Sequence, residues 1–149
     1  MSEKTVARNR KAKFEYFLLE SYEAGISLLG SEIKSIRANQ VSLEESYIKI
    51  DGEEAWLVDA HIAPYELANR FNHEPRRSRR LLLHKKEILN LWNDVKQKGV
   101  TIVPVRMYLK DGRAKVEIAV AKGKKLYDKR ESIAKKDMQR EMDRRNKGY

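Results

Sequence analysis

Cysteine is absent from this chain of 149 residues, which excludes a disulfide framework and a thiolate metal site and gives no sign of an oxidising compartment. No apolar run approaches the roughly 20 residues that a membrane-spanning helix requires. The opening segment, Met1 to Arg10, also lacks the apolar centre of a signal peptide, so a soluble, cytoplasmic protein with no membrane association is expected. Histidine is scarce, and His61, His73 and His84 show no ligand spacing such as two on one helical turn. They read as ordinary surface or core residues, with no metal. The seven glycines form no phosphate-cradling loop, and Gly123-Lys124 lacks the rest of a nucleotide-binding P-loop. Adjacent carboxylates at Glu44-Glu45 and Glu53-Glu54 point to opposite faces of a strand and make a poor Mg²⁺ pair for nuclease work. A non-enzymatic protein without a cofactor is expected.

What the chain has in abundance is positive charge. Lys and Arg number 32 against 22 Asp and Glu, a net charge of +10, which repels itself unless a polyanion answers it. Nucleic acid fits best, because counterion release from phosphates rewards a dispersed set of cations.

Composition divides the sequence into three zones. Residues 1–13 hold Lys4, Arg8, Arg10, Lys11 and Lys13 against Glu3 alone, with too little apolar content to dock firmly: a basic N-terminal arm. Residues 14–121 carry nearly all of the aromatic and β-branched residues, broken by turn signals at intervals that suit short strands. Residues 122–149 carry eleven Lys and Arg against five Asp and Glu, so more than half of the net charge lies in this basic C-terminal tail.

Within the body, Phe14 to Tyr22 alternates as a strand, with Phe14, Tyr16 and Leu18 on one face. Asp51-Gly52 lies between Tyr47 to Ile50 and Ala55 to Val58, and Asp111-Gly112 between Thr101 to Leu109 and Lys115 to Val120. Both are hairpin signals. His84 to Lys98 carries Ile88, Leu89, Trp92 and Val95 at helical spacing and stops at Gly99, which takes a left-handed C′ position cheaply. A shorter helix is predicted over Ser31 to Ala38 from Ile33 and Ile36. Short strands with one or two covering helices match a mainly β fold, an antiparallel barrel of the oligonucleotide-binding (OB) type. A β-sandwich is the alternative.

Arg76-Arg77-Ser78-Arg79-Arg80 places four guanidinium groups within five residues, just before Leu81-Leu82-Leu83. It reads as a phosphate clamp or a loop crossing an RNA groove, or else as a solvated charge run that guards a sticky strand. In the tail, winding Glu131 to Lys147 as a helix lines up Lys136, Arg140 and Arg144 opposite a thin stripe of Ala134, Met138 and Met142. That stripe is too narrow to anchor it, so the tail is expected to be disordered alone and helical when bound. Glu23, in Tyr22-Glu23-Ala24-Gly25, is an unusual acid on a surface meant for RNA: it orients an Arg, accepts from a base amino group, or is a plain turn carboxylate. Trp56 and Trp92 each lie in an apolar pattern and read as core.

Four ordered motifs then stand out: Asn9-Arg10-Lys11-Ala12-Lys13-Phe14-Glu15-Tyr16, Gly30-Ser31-Glu32-Ile33-Lys34-Ser35-Ile36-Arg37, Arg80-Leu81-Leu82-Leu83-His84, and Val120-Ala121-Lys122-Gly123-Lys124-Lys125-Leu126-Tyr127-Asp128-Lys129-Arg130. Together they resemble the small protein B (SmpB) family, the transfer-messenger-RNA-binding proteins of bacteria, from about Asn9 to the C-terminus. The resemblance implies an OB barrel whose tail is unstructured off the ribosome. It implies binding to the tRNA-like domain of transfer-messenger RNA, help with its alanylation by alanyl-tRNA synthetase, and delivery with elongation factor Tu to stalled ribosomes. There the protein fills the decoding centre, the tail enters the empty messenger channel, and the incomplete peptide receives a degradation tag. By matching positions, Asn9, Lys11, Glu23, Lys34, Arg37, Lys122, Lys124 and Lys125 face the RNA. Lys13 and Tyr16, inside the first motif, are placed with them, as is the arginine cluster. Asp128, Lys129 and Arg130 begin a ribosome-active tail that continues through Lys136, Arg140 and Arg144. Asn39 stands where the family pattern has a glycine, and Asn tolerates the left-handed conformation. The competing readings are a ribosomal or assembly RNA-binding protein and a small nuclease.

Overall fold

The computed structural model describes residues 3–65 and 72–124. The fold is mainly β, built on one antiparallel sheet with few helices. Strands β1 (Glu3–Arg8), β2 (Tyr16–Ile26), β4 (Tyr47–Asp51), β5 (Glu54–Val58), β7 (Arg79–Leu82), β8 (Thr101–Lys110) and β9 (Arg113–Gly123) form a seven-stranded sheet in the order β1-β8-β9-β2-β7-β5-β4. The short strands β3 (Val41–Ser42) and β6 (His61–Ile62) make a separate pair. Helices α1 (Arg10–Glu15), α2 (Gly30–Arg37) and α3 (Lys85–Lys98) lie between them. The sheet curls until β4 lies against β8, giving an OB-like wall around a core that includes Leu57, Leu91, Met107, Val116 and Ile118, all fully buried.

Both predicted hairpins form, one of them with its turn displaced by a residue. Asp111 and Gly112 both have positive φ, 51° and 80°, the combination that a two-residue type I′ turn needs to match the twist of β8 and β9. In the β4–β5 hairpin Asp51 pairs with Glu54, so the turn sits on Gly52-Glu53, one residue later than the Asp-Gly signal places it. Helix α3 ends at Gly99 with φ 63°, and Asn39 after α2 has φ 61°, the left-handed turn that an asparagine accepts.

Three expectations change. The basic N-terminal arm folds into the body: β1 pairs antiparallel with β8, and α1 follows it. Backbone hydrogen bonds along the β8 edge, the burial of Val6 and a 2.7 Å ion pair from Glu3 to Arg106 hold a segment whose apolar content alone is too small. Strand β2 starts at Tyr16, later than predicted, because Phe14 belongs to α1. At its other end the body runs past Ala121: β9 continues to Gly123, and the Lys124 amide donates to the Glu15 carbonyl at 2.9 Å.

The tryptophans also differ from expectation. Helix α3 buries only Ile88 and Leu91, leaving Leu89, Trp92 and Val95 exposed, because it meets the sheet along a narrower stripe than its apolar pattern offers. In β5, Ala55 and Leu57 point inward and Trp56 between them points out, as period-two alternation requires. The Trp56 indole donates to Glu54 at 3.2 Å.

Candidate nucleic-acid interface

The arginine cluster divides by strand alternation. Arg79 is completely buried: Nε donates to Glu32 Oε2 at 2.6 Å, Nη1 to the Ala60 carbonyl at 2.7 Å and Nη2 to the Pro75 carbonyl at 3.0 Å. It is therefore a core ion pair and not a phosphate ligand, a correction to the clamp reading. Arg77 donates to Glu32 Oε1 at 2.5 Å and is half-buried. Burial by itself pushes the Glu32 carboxyl up, but hydrogen bonds from Arg77, the Leu29 amide and Arg79 outweigh it and hold the group below the usual carboxylate range. Arg76 is exposed and donates to the Asp59 carbonyl at 3.0 Å. Arg80 turns outward, 3.9 Å from Glu54 with about half its side chain exposed.

Asn9 is the second correction. It closes the end of β1 onto a register shift in β8 between Pro104 and Arg106, where a proline that cannot donate is tolerated. Its amide donates to the Val105 carbonyl at 2.8 Å and its Nδ2 to the Pro104 carbonyl at 3.0 Å. At 7% exposure it fastens the N-terminal segment and does not face a ligand.

The remaining residues fall into separate patches. Around α1 and the end of β9, the Lys124 ammonium donates to the Lys13 carbonyl at 3.1 Å and lies 5.1 Å from the centre of the exposed Phe17 ring. Lys122 is the strand partner of Phe17 and exposed, and Lys11 pairs loosely with Glu45 at 3.6 Å. Tyr16 is half-buried and packs on Ala12, Val103 and Ala121. On α2, Lys34 and Arg37 are exposed, with the Lys34 ammonium 5.5 Å from the Tyr65 ring centre. Lys125, Asp128, Lys129, Arg130, Lys136, Arg140 and Arg144 lie outside the described residues, as does the tail-helix expectation.

Glu23 occupies a groove of about 560 Å³ between β2, β7 and the start of α3, lined also by Arg80, Leu82, His84 and Lys115. Tyr108 on β8 donates its hydroxyl proton to Glu23 Oε2, and Lys110 Nζ lies 3.6 Å from the same oxygen. The Tyr108 hydrogen bond is the main reason the Glu23 carboxyl sits below its ordinary range. Partial burial opposes this, and Lys110 and Lys115 reinforce it. The result is an ionised carboxylate flanked by cations, beside a leucine that is 55% exposed. Sequence reasoning missed Leu82, Tyr108, Lys110 and Lys115. Strand alternation through Arg79-Arg80-Leu81-Leu82 could have found Leu82, had the buried arginine been recognised as the in-facing partner of Leu81.

A curled antiparallel sheet presenting cations, one fixed carboxylate and an exposed apolar side chain defines a small nucleic-acid-binding protein of the OB type. The family model described as SmpB protein matches residues 6–148. An SsrA-binding protein of Desulforudis audaxviator (strain MP104C) is 56% identical over 146 residues, covering 98% of this chain and 95% of the relative. One from Sulfurihydrogenibium sp. (strain YO3AOP1) is 57% identical over 148 residues, covering 99% and 97%. Among solved structures, a chain from "tmRNA-SmpB: a journey to the center of the bacterial ribosome" superposes with a TM-score of 0.68 at 46% identity, covering 80% of this chain and 84% of that one. This chain belongs to the SmpB family.

Proposed function

We propose that this chain binds the tRNA-like domain of transfer-messenger RNA and carries it to stalled ribosomes for trans-translation, as an adaptor without a catalytic step of its own. The observation that carries the reading is the Glu23 groove: an acceptor carboxylate is tolerable beside a polyanion only if it accepts a hydrogen bond, and Arg80, Lys110 and Lys115 around it offset its charge. The names of the relatives, and the ribosome in the name of the structural neighbour, support the same partner. Lys11, Lys13, Lys122 and Lys124 form a second phosphate-facing patch, and Lys34 and Arg37 a third. The tail from Asp128 enters the empty messenger channel near the decoding centre. Elongation factor Tu and alanyl-tRNA synthetase act through the RNA, and the setting is the cytoplasm, where ribosomes work.

The test is to recover the tagged full chain from bacterial lysate at moderate salt and sequence the bound RNA. Strong enrichment of transfer-messenger RNA is expected. Ribosomal RNA without it would overturn the reading and leave an ordinary ribosomal RNA-binding protein.

A further inference from the structure

We infer that Tyr108 is a positioning residue for RNA recognition: by occupying Glu23 Oε2 it fixes the carboxylate so that Oε1 accepts a hydrogen bond from the exocyclic amino group of an unstacked nucleobase. The inference rests on the RNA-binding reading above and deepens it.

Tyr108 is held from several sides. Its ring is 2% exposed and lies beneath the Arg106 guanidinium, 4.0 Å from the ring centre. Arg106 is itself tied to Glu3 at 2.7 Å, to Glu117 at 3.2 Å and to Thr5 Oγ1 at 3.2 Å. Register explains the reach. Glu117 is the partner of both Glu23 and Arg106, and Lys115 the partner of Tyr108, so the Tyr108 hydroxyl crosses β9 diagonally to Glu23 on one face of the sheet. Tyr108 can donate but is too buried to touch RNA itself. Among the described hydrogen bonds none engages Glu23 Oε1, and the Glu23 side chain is 44% exposed.

The surroundings select the donor. A ribose 2′-hydroxyl brings its neighbouring phosphates with it, which a carboxylate repels. A base edge splayed from the backbone keeps the phosphates near Arg80 and Lys115 and puts its apolar face within reach of Leu82. Of the charged groups around the groove, Glu53, Glu54 and Glu87 are acids and Lys85 a base. His84 also lines the groove. Protonating Glu23 removes the acceptor and weakens binding, and a His84→Asn background takes the neighbouring imidazole out of the comparison.

The experiment measures affinity for a transcript of the tRNA-like domain from pH 4.5 to 8 with the full chain, Tyr108→Phe, Glu23→Gln and the double variant, all in the His84→Asn background. At neutral pH Tyr108→Phe is expected to bind roughly tenfold more weakly, the scale of a charge-assisted hydrogen bond. Its acid-side loss of binding is expected to begin at higher pH, because the lost hydrogen bond lets the Glu23 carboxyl rise. In the Glu23→Gln background the same change is expected to do nothing. Transcripts sparsely substituted with des-amino nucleosides should show one position that weakens binding by the unsubstituted chain and not by Glu23→Gln, and 2′-deoxy substitution there should be silent. An unshifted acid limb, or an equal loss in both backgrounds, would overturn the positioning role. Interference by 2′-deoxy in place of des-amino substitution would overturn the base assignment. No binding of the transcript by the unsubstituted chain would instead overturn the proposed function itself.

Discussion

Glu32 and Arg79 meet at 2.6 Å with neither side chain exposed, joining the start of α2 to the middle of the sheet. The pair accounts for both Glu32 oxygens together with Arg77 and the Leu29 amide. Glu32→Ala leaves a buried guanidinium without its counter-charge, and a loss of about 3–5 kcal/mol is expected in urea unfolding. Arg77→Ala, at a partly exposed partner, should cost about 1 kcal/mol. The pH dependence follows from the depressed Glu32 carboxyl. Its contribution is full above the ordinary value of 4.5 and is lost as pH falls through the lower folded value. Unfolding curves from pH 3 to 6 should show this acid sensitivity in the unsubstituted chain and not in Glu32→Gln.

Adjacent arginines in β7 should separate cleanly. Arg80→Ala is expected to leave stability within about 0.5 kcal/mol while weakening RNA binding and reducing the slope of log affinity against log salt by about one. Arg79→Ala should instead unfold the protein or destabilise it by several kcal/mol. Binding titrations at three salt concentrations, paired with thermal unfolding, check both. Equal effects at the two positions would contradict the division of the cluster.

Two glycines test backbone conformation with side-chain packing removed from the comparison, because a Cβ added at Gly30 or at Gly112 meets nothing within 4 Å. Gly112 holds φ 80° in the β8–β9 turn, and Gly112→Ala is expected to cost about 1 kcal/mol or more. Gly30 opens α2 without a left-handed φ, and Gly30→Ala should stabilise by roughly 0.4–1 kcal/mol through the unfolded chain. Thermal unfolding reads out both signs.

The elements legible in the sequence are those decided by near neighbours. Asp111-Gly112 announces its turn because the conformation belongs to those two residues, and Gly99 ends α3 for the same reason. Helix α2 is within one residue of its predicted span because Ile36 and its neighbours repeat at helical spacing. Strand β1 was illegible because its stability comes from the β8 edge, with Glu3 opposite Lys110, and nothing local shows that edge. The burial of Arg79 depends on Glu32, 47 residues away, so a composition reading sees only another cation in a run. At the candidate site Glu23 stood out as an acid in a basic protein, but its partner Tyr108, 85 residues on, looks like any strand tyrosine. Local conformation can be read along the chain, whereas burial and pairing need the register.

Truncation after Leu126 separates RNA capture from action on the ribosome. The described body, residues 3–65 and 72–124, keeps the Glu23 groove and the Lys122 and Lys124 patch. The residues removed carry eight Lys and Arg against five Asp and Glu, a surplus of only three, so the long-range attraction for RNA falls modestly. Affinity for the tRNA-like domain is expected to drop by less than about tenfold, mostly through a slower, salt-dependent association rate. Tagging of a peptide on a ribosome stalled without a codon should be abolished, since the proposed role of the tail in the messenger channel begins at Asp128, Lys129 and Arg130. A reconstituted translation assay with a truncated messenger reads the tag, and a gel-shift titration of the same preparation reads the binding. Undiminished tagging would move the ribosome-active function into the body, whereas loss of RNA binding would place part of the RNA site beyond Leu126.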